Sequence, residues 1–166
     1  MSNYEKKNLK LIGTNQEDLK VISAYSQDSI ATIKDIIFLK KHKIFLMIVN
    51  RFMWEDRYKK NKRIKSAIKF EGILKVKSQK INQKNRNKRL ECLAIECNEI
   101  LGKNHEINFF FSGGAIITLI SEFIEVSLDD LGSSWNVKHI PTHKIWILIY
   151  LLILIKTIKE KGDKIG

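Results

Sequence analysis

The segment Asn50-Arg51-Phe52-Met53-Trp54-Glu55 places a guanidinium, a carboxylate and two aromatic rings within six residues. In an extended strand Arg51 and Glu55 point to the same face, because side chains alternate with a period of two. They could form a structural ion pair, which is the favoured interpretation, or flank the ligand of an enzyme of unknown reaction. Asn50, Phe52 and Trp54 point to the opposite face, where the two aromatic rings are expected to join the core.

Positive charge is concentrated between residues 57 and 89. This segment contains 14 Lys or Arg residues and one acid, Glu71, so its net charge is +13, whereas the whole chain has a net charge of +12. If the loops at 57–63 and 79–89 lie at the same end of a sheet, they form one basic face that could bind a polyanion, either a nucleic acid or an acidic protein. The alternative is a solvated surface of a lysine-rich protein. The residues assigned to this face are Arg57, Lys59, Lys60, Lys62, Arg63, Lys80, Lys84, Arg86, Lys88 and Arg89.

Other residue types capable of chemistry are scattered. The pair His139 and His143 has a spacing of four, but Pro141 argues against the helix that would direct both rings at one metal ion. The acidic residues Glu122, Glu125, Asp129 and Asp130 are typical of a solvated face. We find no phosphate loop, dinucleotide motif or nucleophile elbow. The sequence therefore predicts no catalytic residue, no metal and no cofactor, and it favours a non-catalytic binding or adaptor domain.

The composition indicates one folded domain with a real core: 166 residues, 44% of them hydrophobic, with a single proline. Residues 1–8 are polar, so no secretory signal is expected and a cytoplasmic location is predicted. Cys92 and Cys97 are five positions apart and would lie on opposite faces of a strand, roughly 16 Å apart. We expect two buried, unbridged thiols, which suits a reducing compartment.

The hydrophobic pattern predicts an α+β, β-dominated fold. Thr14 and Glu17 have the spacing of a capping box, so a helix is expected over about 15–28. Strands are then predicted at 9–12, 30–39, 44–49, 64–70, 74–77, 90–95, 107–111, 115–120 and 124–128, with 44–49 buried on both faces and 124–128 at an edge. Short turns favour a bent, mostly antiparallel sheet or small barrel, with a pleckstrin-homology-like barrel as the first guess.

Several short motifs follow one another along the chain in the order in which they occur in a known protein family. They are Asp18-Leu19 to Asp28, Asn50-Arg51-Phe52 with Trp54-Glu55, a basic stretch before Ser66-Ala67, Gly113-Gly114-Ala115-Ile116, and Asp130-Leu131-Gly132 with Trp135. Together they resemble an uncharacterised bacterial family, domain of unknown function 2948, over about residues 9–143. The resemblance implies a fold and no catalytic residue.

Residues 144–166 form a distinct tail, and residues 1–8 a flexible N-terminus. The tail contains eleven residues at 145–155 that are apolar apart from Tyr150, and then four lysines. As a helix these eleven residues reach about 16 Å, which is too short for a hydrocarbon core of about 30 Å. The tail could dock on the domain or on a second copy, lie in a membrane interface as a peripheral contact, or result from a shifted reading frame.

Overall fold

The structure, a computed structural model, describes residues 8–56, 60–100 and 102–141. One α-helix, α1, spans Gln16–Ser26. The ten strands are β1 Lys10–Gly13, β2 Ile30–Thr32, β3 Ile36–Leu39, β4 Ile44–Phe52, β5 Lys62–Phe70, β6 Ile73–Gln79, β7 Arg89–Glu99, β8 His105–Phe111, β9 Ile116–Ser121 and β10 Val126–Asn136. The predicted β-dominated class with a single N-terminal helix is confirmed for these residues.

All ten strands belong to one antiparallel sheet in the order β1-β10-β5-β4-β2-β7-β8-β9-β6, with β3 pairing with the first half of β4. Within the described chain the terminal strands β1 and β6 do not pair with each other, so the sheet is open and does not form the closed barrel that the strand pattern allows. No described helix has the length and apolar character needed to cross a membrane. The predicted tail helix lies outside the described residues.

Helix α1 begins one residue later than predicted. Asn15 is the N-cap, and its side-chain oxygen accepts a hydrogen bond from the Asp18 amide at 2.9 Å. The Asp18 carboxylate in turn accepts from the Thr14 amide at 3.0 Å, so side chains satisfy one amide of the first turn and the amide just before the N-cap. The buried side of the helix, including Leu19 and Ile22, packs mainly on β7 and β1.

Strand β4 is central, but its two faces differ. Phe45, Met47 and Val49 are fully buried, whereas the intervening residues are only partly buried. The prediction of a strand buried on both faces is therefore wrong for the outer face. The inner phenylalanine rings form a chain, with ring centroids 5.7 Å apart for Phe45 and Phe109 and 5.6 Å apart for Phe109 and Phe70. Burying each such side chain contributes about 1.5–3 kcal/mol to stability.

Two strand predictions need correction. The predicted strand at 30–39 is divided into β2 and β3 by a 3₁₀ turn over Ile33–Asp35. The predicted edge strand at 124–128 is instead the start of β10, which continues to Asn136 and lies between β1 and β5. The pairing of β10 with β5 shifts in register between Leu131 and Trp135, and the strand continues beyond this irregularity.

Candidate functional site

The Arg51 side chain lies at the centre of a buried ionic cluster. It is 0% exposed, and its guanidinium binds two carboxylates in bidentate fashion. Toward Asp130, Nε donates to Oδ1 at 2.8 Å and Nη2 donates to Oδ2 at 2.7 Å. Toward Glu55, Nη1 donates to Oε2 at 3.0 Å and Nη2 donates to Oε1 at 2.6 Å. Burial alone would lower the pKa of Arg51, but the hydrogen bonds to Asp130 and Glu55 outweigh it and raise that pKa above its ordinary value.

Three elements position this cluster. Arg51 points inward from β4, Asp130 points inward from β10, and Glu55 comes from a 3₁₀ turn over Trp54–Asp56. Strand alternation thus ends at Phe52, and the turn, rather than a continued strand, brings Glu55 back to Arg51. Asp130 also accepts hydrogen bonds from Ser66 Oγ at 2.7 Å and from the Leu9 amide at 3.3 Å.

An open cleft of about 370 Å³ lies beside the cluster. Its lining includes Glu55 and Asp130 together with the hydroxyl-bearing Ser133 and Ser134, and no histidine among the residues that the structure describes. Both carboxylates are already engaged by Arg51, so neither is a free base for a serine hydroxyl. The geometry therefore favours the predicted ion pair over an enzyme site at Arg51 and Glu55.

The aromatic side chains of the motif are structural. Phe52 and Trp54 are 0% and 2% exposed, and their ring centroids are 4.6 Å apart. The indole Nε1 of Trp54 donates to the Gln27 carbonyl at 3.0 Å. Phe52 and Trp54 pack together even though the strand ends between them, so the expected core role of both residues agrees with the structure.

A family model described as "Protein of unknown function (DUF2948)" matches residues 9–143. The chain belongs to this family. No curated protein and no solved structure matches the chain. The resemblance deduced from the motifs is confirmed, whereas the bacterial origin and the pleckstrin-homology-like form stay predictions.

The two basic loops of the DUF2948 domain lie at opposite ends of the sheet. Strand β2 is antiparallel to both β4 and β7, since Ile30 pairs with Asn50 and with Glu91, so β4 and β7 run in the same direction. Residues 53–56 and 60–61 follow β4, whereas the loop at 80–88 precedes β7. The condition that both loops share one end is therefore not met. Arg57 and Lys59 lie outside the described residues, and Lys60 and Lys62 lie at the far end of β4.

Arg63 does not belong to a solvent-facing charged surface. Its Nη1 donates to the carbonyls of Asp28 and Asn50, both at 2.9 Å, and its guanidinium carbon lies 5.8 Å from the centre of the Phe52 ring. Burial lowers the pKa of Arg63 from its ordinary value. Arg63 therefore packs on its own domain, and its binding role stays a prediction.

A second group of cations remains exposed. We call it the β6–β7 basic surface, and it comprises Lys75, Lys77, Lys80, Lys84, Arg86, Lys88 and Arg89. Its loop is fixed to the turn before β3, because the amides of Ile33 and Lys34 donate to the carbonyls of Lys88 and Arg86 at 3.1 and 3.0 Å. The ion pairs found among the described residues involve none of these seven side chains. The charge is therefore available to a partner.

The remaining candidates form no site. No group of His, Cys, Asp and Glu within the described part of the chain could hold a metal ion, and His143 lies outside it. Cys92 is buried, while Cys97 is only half-buried, which corrects the prediction of two buried thiols. Both are free, as predicted. Burial, reinforced by the negative charge of Asp28, raises the pKa of Cys92 to about 12.

Sequence reasoning missed Asp130, which it assigned to a solvated face but which is 8% exposed. A usable signal was present. Val126, Leu128 and Asp130 share one face of a strand, so burial of the first two predicts that Asp130 also points inward. A buried carboxylate requires a cation, and Arg51 points inward from β4.

Proposed function

We propose that this DUF2948 domain is a non-catalytic binding module and that the β6–β7 basic surface binds a polyanion, with nucleic acid as its main class. One observation supports this proposal most strongly. Seven exposed cations occur within the 15 residues of 75–89, and that segment contains no acidic residue. Exposed, unpaired cations of this density release counterions from a phosphate backbone on binding.

The polar residues between these cations suit the same partner. Asn82, Gln83, Asn85 and Asn87 are exposed in the same loop, and their amide groups can donate to phosphate and sugar oxygens. The loop is held at both 86 and 88 by the backbone of the turn before β3, so its cations are presented on a fixed support. The alternative of an enzyme site at Arg51 and Glu55 has less support, because the two side chains form an ion pair with each other.

Fluorescence anisotropy with labelled single-stranded RNA, single-stranded DNA and duplex DNA tests the proposal. We expect binding that weakens steeply between about 50 and 200 mM salt. The triple variant Lys80→Gln, Lys84→Gln, Lys88→Gln should bind more weakly. Its salt slope on a single strand should fall by about 0.7 for each phosphate that the protein no longer neutralises.

The matched control is Lys65→Gln, Lys103→Gln, Lys138→Gln, which removes the same charge from exposed positions outside the β6–β7 basic surface. This control should retain most of the affinity, since it reduces only the positive electrostatic potential of the protein as a whole. The proposal is wrong if the wild-type protein binds no polyanion at low salt, or if both triple variants lose equal affinity.

A further inference from the structure

The open sheet leaves a seam between β3 and β6. Strand β3 pairs with β4 and strand β6 pairs with β9, and the two do not pair with each other. Hydrogen bonds close the seam at both ends. At one end the Ile73 amide donates to the Lys43 carbonyl at 2.9 Å, and at the other the Lys34 amide donates to the Arg86 carbonyl at 3.0 Å.

A cavity of about 240 Å³ lies in this seam, and we call it the seam pocket. Phe45 and Ile117 are buried and form its floor. Ile36, Phe38 and Val76 are partly exposed and form its walls. Water beside these five side chains contacts hydrocarbon, so its displacement by an apolar group is favourable.

The mouth of the seam pocket has the opposite character. Its polar lining consists of Lys77, Ser78, Gln83 and Arg86, all of which are exposed and none of which is acidic. A guanidinium and an ammonium at the mouth would repel a cation and would form charge-assisted hydrogen bonds with a carboxylate or phosphate. The pocket is therefore apolar inside and cationic at its entrance.

We propose that the seam pocket binds a small amphipathic anion, with an aliphatic or aromatic body inside and a single carboxylate or phosphate at the mouth. The size follows from the volume. At about 30 Å³ per water, the pocket has room for roughly eight water-sized groups. This matches one medium-length alkyl chain or one substituted ring and excludes a two-chain lipid.

Calorimetric titration of the full chain with unbranched alkyl carboxylates, from butanoate to dodecanoate, tests the proposal. We expect affinity to rise about fourfold per added methylene and to level off near octanoate, when the pocket is full. The alcohol of the same length should bind about tenfold more weakly, because it lacks the charged head group. Amide NMR shifts should cluster on Ile33–Leu39 and on 76–86.

Two variants test separately the binding of the ligand's apolar body and the binding of its charged head group. Val76→Phe fills the pocket without changing the charge and should abolish binding, and Ser78→Phe is a second filling variant should the first not fold. Arg86→Gln should weaken the carboxylate about tenfold while leaving the alcohol unchanged. Arg89→Gln is its matched control, since Arg89 belongs to the same basic surface but does not line the pocket.

Absence of saturable binding, affinity independent of chain length, or unchanged binding by Val76→Phe would overturn the proposal. Binding that appears only when Leu151→Asp and Leu152→Asp disrupt the tail would identify the tail as the occupant, and that too would overturn it. Val76→Phe keeps all seven cations of the β6–β7 basic surface, so nucleic-acid binding should persist in it. The two proposals can therefore fail independently.

Discussion

Replacing Arg51 by Met tests whether the ionic cluster holds the domain together. The side chains of Arg51 and Asp130 are 0% and 2% exposed, and that of Glu55 is 21% exposed. In Arg51→Met, Glu55 can turn toward solvent, but Asp130 remains inside, and its carboxylate keeps the Ser66 hydroxyl and the Leu9 amide as its partners among the described residues. An uncompensated buried carboxylate is then the main cost of the substitution.

The expected magnitudes differ among the three members. Removing one partner of a buried ion pair costs about 3–5 kcal/mol, and we expect that loss for Arg51→Met. Glu55→Gln should cost about 1 kcal/mol or less, because Glu55 is partly solvated and Asp130 still neutralises the guanidinium. The double variant Arg51→Met, Asp130→Leu leaves no fully buried charge in this cluster, so its loss should be smaller than that of Arg51→Met alone.

Urea unfolding, followed by tryptophan fluorescence and circular dichroism, measures these differences through the unfolding midpoint and slope. Lys65→Met is the matched control, since it places the same side chain on an exposed position of β5 opposite Asn50. A loss of unfolding free energy below about 1 kcal/mol for Arg51→Met would refute the reasoning, because an unpaired buried carboxylate should destabilise the fold by more than that. Equal losses for Glu55→Gln and Arg51→Met would refute the ranking by exposure.

Three other features can each be tested separately. Trp54→Ala should lower the unfolding free energy by about 3–5 kcal/mol, as expected for truncating a buried indole; a loss below about 1 kcal/mol in urea would contradict its core role. Ellman's reagent should modify Cys97 in the folded chain and Cys92 only after unfolding. Because burial raises the pKa of Cys92 from 9.0 to about 12, the unfolded thiol ionises first, and stability should decrease as pH rises above about 9, by at most about 1.4 kcal/mol per unit. This decrease should be smaller in Cys92→Ala, because the contribution of Cys92 is then removed while that of Cys97, whose pKa is also raised by burial, remains. A chain ending at His143 should remain folded and become more soluble, whereas its unfolding or aggregation would assign the tail to the core.

Features determined by neighbouring residues could be predicted from the sequence. The strands predicted at 44–49 and 64–70 lie within β4 and β5. Arg51 and Glu55 were correctly paired, although through a turn rather than along a strand. These predictions depend on steric and hydrophobic preferences that act over a few residues.

Features determined by strand order could not be predicted. Asp130 and Arg51 are 79 positions apart, and their contact depends on β10 pairing with β5 and β5 with β4. The placement of the two basic loops likewise depends on the short β2, which fixes β7 in the same direction as β4. Alternation fixes the face of each side chain, but not which strand is its neighbour.

The placement of charges also allows stability to be separated from binding. Arg51 lies near the end of β4, whereas the seam pocket and the β6–β7 basic surface lie near its start, where Phe45 forms the pocket floor. The cations of that surface take part in none of the ion pairs found among the described residues, so replacing them by Gln removes repulsion and breaks no ion pair described there. Such variants should keep the wild-type unfolding free energy. Arg63→Gln should instead lose stability, because Arg63 donates to two backbone carbonyls. If the Gln variants lose affinity at unchanged unfolding free energy, binding is located at the β6–β7 basic surface. If they lose affinity and unfolding free energy together, the loss of affinity is explained by unfolding.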